Sequence, residues 1–318
     1  MAASPNPFLA DKSRPIVVGH RGVPALHQEN TLAGFRRALQ LGVPAVELDV
    51  RLTADRRAVV IHDDDLERLT GEPGRVGALT WDELSRRRLQ REVPMGVDAL
   101  GRPVVLRYEQ REPIPLLAEV LAEVGGKIAI NVELKLDLPR WWPAGVGEVV
   151  ATAIAAAGTP TLDRVIVTSF DPRKLRAARR VRHDLAIGFC FDDGMLAALA
   201  PILDRLLPAP ASADDRDGRP GHHARRLLGR IVDSHFIGDL LRAPLVGAEH
   251  TLVGADTVRR LHARGVAIGT HTLFPIGSTT GKRLSTTASQ IAEVHRLVAL
   301  GVDWIETDDP ERLLKLIG

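Results

Sequence analysis

Ala45-Val46-Glu47-Leu48-Asp49-Val50-Arg51-Leu52 is the stretch whose reading decides the fold. Val46, Leu48, Val50 and Leu52 alternate with polar residues. That is the period of a β-strand, so Glu47, Asp49 and Arg51 share one face. The pattern returns at Ile130-Asn131-Val132-Glu133-Leu134-Lys135-Leu136, where Asn131, Glu133 and Lys135 lie opposite an apolar face. Either strand alone reads equally well as half-exposed, with one wet face. Together, and downstream of His20-Arg21-Gly22, they point to a site.

Working outward, strands and helices alternate. Ile16-Val17-Val18-Gly19 reads as a strand ending at His20, and Leu32, Phe35 and Leu39 as a helix capped by Asn30 or Thr31. Ala58-Val59-Val60-Ile61 is a short strand ending at His62. Helices are expected around 116–124, 144–157, 172–181, 255–264 and 286–299, with a last one opened by Pro310. Strands are expected at Val165–Val167, Leu185–Phe189, Pro244–Ala248, Val266–Ile268 and Trp304–Ile305. About eight strand–helix units make an α/β chain with the pattern of a (β/α)8 TIM barrel over 1–318, read as a single domain. A doubly wound sheet is the competing reading; it lacks a Gly-x-Gly-x-x-Gly after an early strand. Two stretches exceed a minimal barrel: an excursion at 63–113 after strand 2, and a polar, Pro- and Gly-broken insertion at 192–230 before strand 6. Ile231–Phe236 reads as an extra strand or as the sixth one. His222 and His223 read as solvent-exposed.

Composition narrows the function. The chain of 318 residues carries a net charge of +2, so no strong field argues for nucleic acid. The single cysteine, Cys190, excludes an intramolecular disulfide and a multi-cysteine zinc site. No run of apolar residues is long enough to span a bilayer, and no secretory signal pattern opens the chain, so a cytoplasmic enzyme is expected, with peripheral lipid contact left open. Trp141-Trp142 reads as a cover over the barrel mouth or as a lipid contact.

In a barrel, active groups gather at the carboxyl ends of strands, where His20, Glu47, Asp49, Glu133, Lys135 and Ser169 fall. Three converging carboxylates repel one another, and one divalent cation removes that repulsion. Oxygen-only ligation by Glu47, Asp49 and Glu133 favours magnesium, calcium or manganese over zinc. Arg21 and Lys135 can hold phosphate charge, and His20 and His62 can act as base and acid.

The chain resembles the glycerophosphodiester phosphodiesterase family. The resemblance is carried by His20-Arg21-Gly22 with Glu29-Asn30-Thr31, Glu47-Leu48-Asp49-Val50 with Thr53 and Asp55, and Val60-Ile61-His62-Asp63 with Leu66, Arg68 and Thr70. Val132-Glu133-Leu134-Lys135, Ser169-Phe170 and Thr307-Asp308 with Pro310 complete it. The resemblance implies a TIM barrel, a divalent metal (Mg2+ or Ca2+) on Glu47, Asp49 and Glu133, and acid/base work by His20 and His62. It also implies phosphate contacts at Arg21 and Lys135, and hydrolysis of a small-molecule glycerophosphodiester to glycerol 3-phosphate and an alcohol. Near the seventh strand the family's aromatic-Thr-Val-Asn run is replaced by His271-Thr272-Leu273-Phe274, making His271 and Phe274 candidates for contact with the glycerol or alcohol end. Two alternatives stay open: lysophospholipase D or sphingomyelinase D-like cleavage on the same site, and a non-catalytic barrel that binds phosphate compounds.

Overall fold

Hydrogen bonding closes eight parallel strands into a ring in the computed structural model of the chain, which describes residues 6–135, 145–196, 202, 205, 222–278 and 284–318. In chain order the described strands are β1 (Ile16–Gly19), β2 (Ala45–Leu52), β3 (Ala58–Val60), β4 (Glu92–Val97), β5 (Pro103–Arg107), β6 (Ala129–Leu134), β7 (Val165–Ser169), β8 (Ala186–Phe191), β9 (Leu245–Glu249), β10 (Ala267–Leu273) and β11 (Trp304–Thr307). The ring runs β1-β2-β6-β7-β8-β9-β10-β11 and shuts where Val18 meets Ala45 on one side of β1 and Glu306 on the other. Helices intervene between ring strands, for example Leu32–Gln40, Leu117–Val124 and Pro172–Val181. The (β/α)8 architecture expected from the alternation is the one observed.

Strand alternation sorts the ring's side chains. Val17, Val46, Leu48, Ile130, Val132 and Val167 point out and form the main core with the helices. Val18, Ala45, Ala129, Ile166, Leu245, Ala267 and Trp304 point in and fill the floor of the barrel, where Phe8 joins them. The Phe8 and Trp304 rings meet edge to face, 5.5 Å between centroids. Two of the inward positions are glycine for want of room. A Cβ on Gly269 would lie 1.6 Å from the Trp304 indole, and one on Gly188 would lie 2.0 Å from the Leu245 side chain.

The excursion is a folded body of its own. β3 pairs antiparallel with the end of β2, just ahead of the stretch 63–113. Val59 of β3 and Ile61 join Leu66, Leu69, Leu84, Leu89, Val93 and Ile114 in a separate small core. The β4–β5 hairpin is stitched to the loop after β10 by paired backbone hydrogen bonds between Val97 and Ser278, 3.1 and 3.0 Å. The insertion differs from one expectation: His222–Ser234 is a helix followed by a shorter one at Phe236–Leu241, and β9 is the sixth ring strand. Trp141, Trp142, most of 192–221 and the side chains of His222 and His223 lie outside the described residues. No helix among the described residues is long and apolar enough to cross a membrane.

Candidate active site

The first βα turn is wound tightly because its sequence allows it. A Cβ on Gly19 would sit 2.3 Å from the Gly22 carbonyl, and Gly22 adopts φ +92°. Between them Arg21 takes φ 56°, a left-handed conformation that L-residues adopt only at a cost of about 1–2 kcal/mol. Two bonds hold it there. The Arg21 N–H donates to Glu47 Oε2 at 2.9 Å, and the Asn30 N–H donates to the Arg21 carbonyl at 3.0 Å. Asn30 in turn donates its amide to Asp49 Oδ2 at 2.8 Å and accepts the Asp49 N–H at 3.1 Å. The turn, β2 and the start of the first helix are thereby locked together.

β2 and β6 are neighbours in register, Glu47 opposite Asn131 and Asp49 opposite Glu133. Glu47, Asp49 and Glu133 each offer a carboxylate oxygen within 4.8 Å of the other two. Glu47 Oε1, Asp49 Oδ1 and Glu133 Oε1 are buried and find no hydrogen-bond partner among the described residues. Lys135 Nζ lies 2.7 Å from Glu133 Oε1 and 3.2 Å from Asp49 Oδ1, so it is the ion-pair partner of both. Lys135 and Arg21, whose Nε lies 3.2 Å from Asp49 Oδ2, are two cations against three carboxylates, so the trio keeps an excess of negative charge. Burial, with Asp49, Glu306 and Glu133 nearby, holds the Glu47 carboxyl well above the usual carboxylate range. Burial pushes Asp49 the same way, but Lys135, His62, Arg21 and His20 outweigh it and hold it well below that range. Orphaned oxygens, excess negative charge and all-carboxylate donors fit one hard divalent cation.

His20, at the end of β1, sets Nδ1 2.6 Å from Asp308 Oδ1, with Nε2 4.0 Å from Glu47 Oε2. His62, carried past the end of β3, sets Nδ1 2.6 Å from Asp63 Oδ1. The Ile61 N–H donates to the Asp49 carbonyl at 2.9 Å, and Arg51 Nε to the His62 carbonyl at 2.8 Å, so β2 fixes where His62 sits. In both rings the carboxylate occupies Nδ1, which leaves Nε2 as the working nitrogen. Burial, with the Arg21 and Lys135 charges, lowers His62 below the usual imidazole range.

Arg21 places Nε 3.2 Å from Asp49 Oδ2 and donates NH1 to Glu29 Oε1 at 3.0 Å. The Lys135 backbone is held by Lys174 Nζ, which donates to its carbonyl. Ser169, expected near the site from its place on β7, is fully buried and donates to the Leu134 carbonyl at 2.7 Å; it braces β6. His271 ends with Nε2 buried and unpartnered among the described residues, its ring edge-on to Phe170. Burial lowers it to about 4. Phe274 is 7% exposed and its ring lies under Arg312, 4.5 Å to the centroid.

Four participants carry no role in the sequence reading. Asp308, Asp63, Glu29 and Arg68 all stand inside the quoted motifs, but only their hydrogen bonds reveal what they do. Glu306 is a fifth. It accepts from Asn131 Nδ2 at 2.8 Å beneath the acids, while Thr168 donates to Asn131 Oδ1 at 2.8 Å, and burial raises Glu306 to about 7. Its inward position follows from Trp304-Ile305-Glu306 alternation, which the sequence alone did not single out.

Comparison with known proteins gives the same reading. The glycerophosphoryl diester phosphodiesterase family matches residues 20–312. A glycerophosphodiester phosphodiesterase of Caldanaerobacter subterraneus subsp. tengcongensis is 27% identical over 303 residues, 95% of this chain and 97% of that protein. The crystal structure of a glycerophosphodiester phosphodiesterase from Parabacteroides distasonis superposes with a TM-score of 0.62 at 18% identity, covering 96% of this chain and 98% of that one. A phosphodiesterase from Oleispira antarctica, solved in complex with the product sn-glycerol-3-phosphate, superposes with a TM-score of 0.59 at 20% identity, covering 96% and 97%. With the match spanning nearly every strand of the ring, this chain is an enzyme of the glycerophosphoryl diester phosphodiesterase family.

Proposed function

We propose that this enzyme hydrolyses a glycerophosphodiester to sn-glycerol 3-phosphate and an alcohol, with His20 and His62 moving the protons. The observation that carries the reading is the convergence on one rim of two imidazoles, each oriented through Nδ1, with three carboxylates bearing open oxygens. The product found in the Oleispira antarctica enzyme supports the substrate class. Glu47, Asp49 and Glu133 would hold a magnesium or calcium ion, which when bound neutralises the acids and polarises the phosphoryl group.

Arg21 and Lys135 bind the remaining phosphate oxygens, Arg21 with the planar edge left free by Glu29 and Lys135 as a point charge released from the acids. One histidine takes a proton at Nε2 from the attacking hydroxyl, whether of water or of the neighbouring glycerol carbon. The other gives its Nε2 proton to the leaving alkoxide. His271 faces the glycerol or alcohol end from β10.

His20→Ala and His62→Ala are each expected to lower kcat on glycerophosphocholine by roughly a hundredfold to ten-thousandfold. Phosphate release through a coupled phosphatase measures this, and full activity in either variant rejects the assignment. Chelation should abolish turnover and magnesium or calcium restore it. A faster rate on lysophosphatidylcholine than on glycerophosphocholine would replace the substrate assignment with the lysophospholipase D reading.

A further inference from the structure

Five ionisable groups run in an unbroken line across the rim from Arg21 to His62. Arg21 NH1 donates to Glu29 Oε1 at 3.0 Å. Arg68 donates to the same carboxylate twice, NH2 to Oε1 at 2.8 Å and NH1 to Oε2 at 3.0 Å. The Arg68 Nε turns the other way and donates to Asp63 Oδ2 at 2.5 Å, and Asp63 Oδ1 meets His62 Nδ1 at 2.6 Å. Signs alternate along the line, so the two guanidinium groups and two carboxylates balance. Burial makes this more than a surface pairing: the Glu29 side chain is 2% exposed and both arginines 18%. Arg21 and His62 lie on different elements, one on the turn after β1 and the other past β3. Arg68 sits on the short helix Glu67–Thr70 of the excursion and touches neither directly.

We propose that Arg68 is a positioning residue that sets two parts of the site at once, aiming the Arg21 guanidinium through Glu29 and fixing the His62 tautomer through Asp63. The geometry requires arginine in that role. Three of its nitrogens are used in two directions, a fork that lysine, with one nitrogen on a flexible stem, does not reproduce. Asp63, accepting from Arg68 on Oδ2, keeps Oδ1 aimed at Nδ1, so the His62 proton stays on Nδ1 and Nε2 faces the substrate. Glu29, clamped on both oxygens, stops Arg21 from folding onto Asp49 alone.

This inference rests on the proposed roles of Arg21 and His62, and its two arms separate kinetically. In the full-length enzyme with glycerophosphocholine, Asp63→Asn is expected to lower kcat at least about tenfold with KM nearly unchanged, and Glu29→Gln to raise KM severalfold with the smaller effect on kcat. Arg68→Lys should do both. In the double variant Arg68→Lys, Asp63→Asn, kcat should fall no further than in Asp63→Asn alone while the KM increase persists. Multiplying kcat losses in the double variant, or no change in Arg68→Lys, overturns the proposal. Nitrogen NMR of histidine-labelled protein reads the His62 tautomer without relying on turnover. The wild type should show the Nδ1–H form, and Asp63→Asn and Arg68→Lys a shift towards Nε2–H. Unchanged nitrogen shifts overturn the relay whatever the activity; a tautomer shift with undiminished kcat keeps the relay and removes the catalytic role of His62. Should Arg68→Lys fail to fold, Asp63→Asn and Glu29→Gln still decide the matter, since identical kinetic changes in both overturn the two-armed arrangement.

Discussion

Both site histidines meet a carboxylate at the same distance, yet the carboxylates keep different company. Asp308 spends its second oxygen on a neutral donor, the Ile276 N–H at 2.9 Å, whereas Asp63 spends its own on the Arg68 guanidinium. A cationic partner takes more of a carboxylate's charge than an amide does, so Asp308 has more left for an imidazolium than Asp63. Asp308→Asn is therefore expected to lower kcat by about a hundredfold and by more than Asp63→Asn, measured side by side on one substrate. Glu29 gives a second test at this scale. Burial opposes its charge, but Arg21 and Arg68 outweigh burial and bring it from 4.5 to about 2. A value depressed in the folded state means stability that is complete above about pH 4.5 and drains away as pH falls towards 2, of order 3 kcal/mol in all. Urea midpoints between pH 6 and pH 2.5 should therefore fall steeply in the wild type and less steeply in Glu29→Gln. The sequence displayed the reactive groups because they end strands. It was silent on their partners because a bond such as His20–Asp308 joins residues 288 apart and leaves no local period to read.

Among elements, the strands and helices of the ring were legible because each buries one face at its own period. The helix His222–Ser234 was not. Read from Ile231 onward it looks strand-like, but Ala224, Leu228 and Val232 are the buried residues, a four-residue spacing that shows only when the window starts earlier. The hairpin's docking was equally invisible, since it depends on bare backbone. Val97 and Ser278 exchange hydrogen bonds beside Gly277, where an added Cβ would fall 2.2 Å from the Met95 carbonyl. Gly277→Ala should push the hairpin off the loop after β10. Hydrogen exchange at the Val97 and Ser278 amides is expected to accelerate by about tenfold or more while amides in β2 and β6 keep their protection.

Taken whole, the ring is layered from floor to rim: apolar around Trp304, polar around Asn131, Thr168 and Glu306, and ionic where the acids and imidazoles meet. Only closure of the ring makes these layers, because β1 and β11, from opposite ends of the chain, must pair before Glu306 comes to face Asn131. That is why sequence alone, which announced the ring, did not announce its middle layer. The floor is also where stability concentrates. Phe8 has no exposed surface, and Asn6 ties its segment to the Val165 carbonyl at 2.9 Å. Phe8→Ala is expected to cost about 3–5 kcal/mol in chemical denaturation.

The Phe8–Trp304 pairing has one more consequence. With that end packed solid by Phe8 and Trp304, chemistry is left to the opposite rim, so a substitution at the floor is read out in stability rather than in turnover.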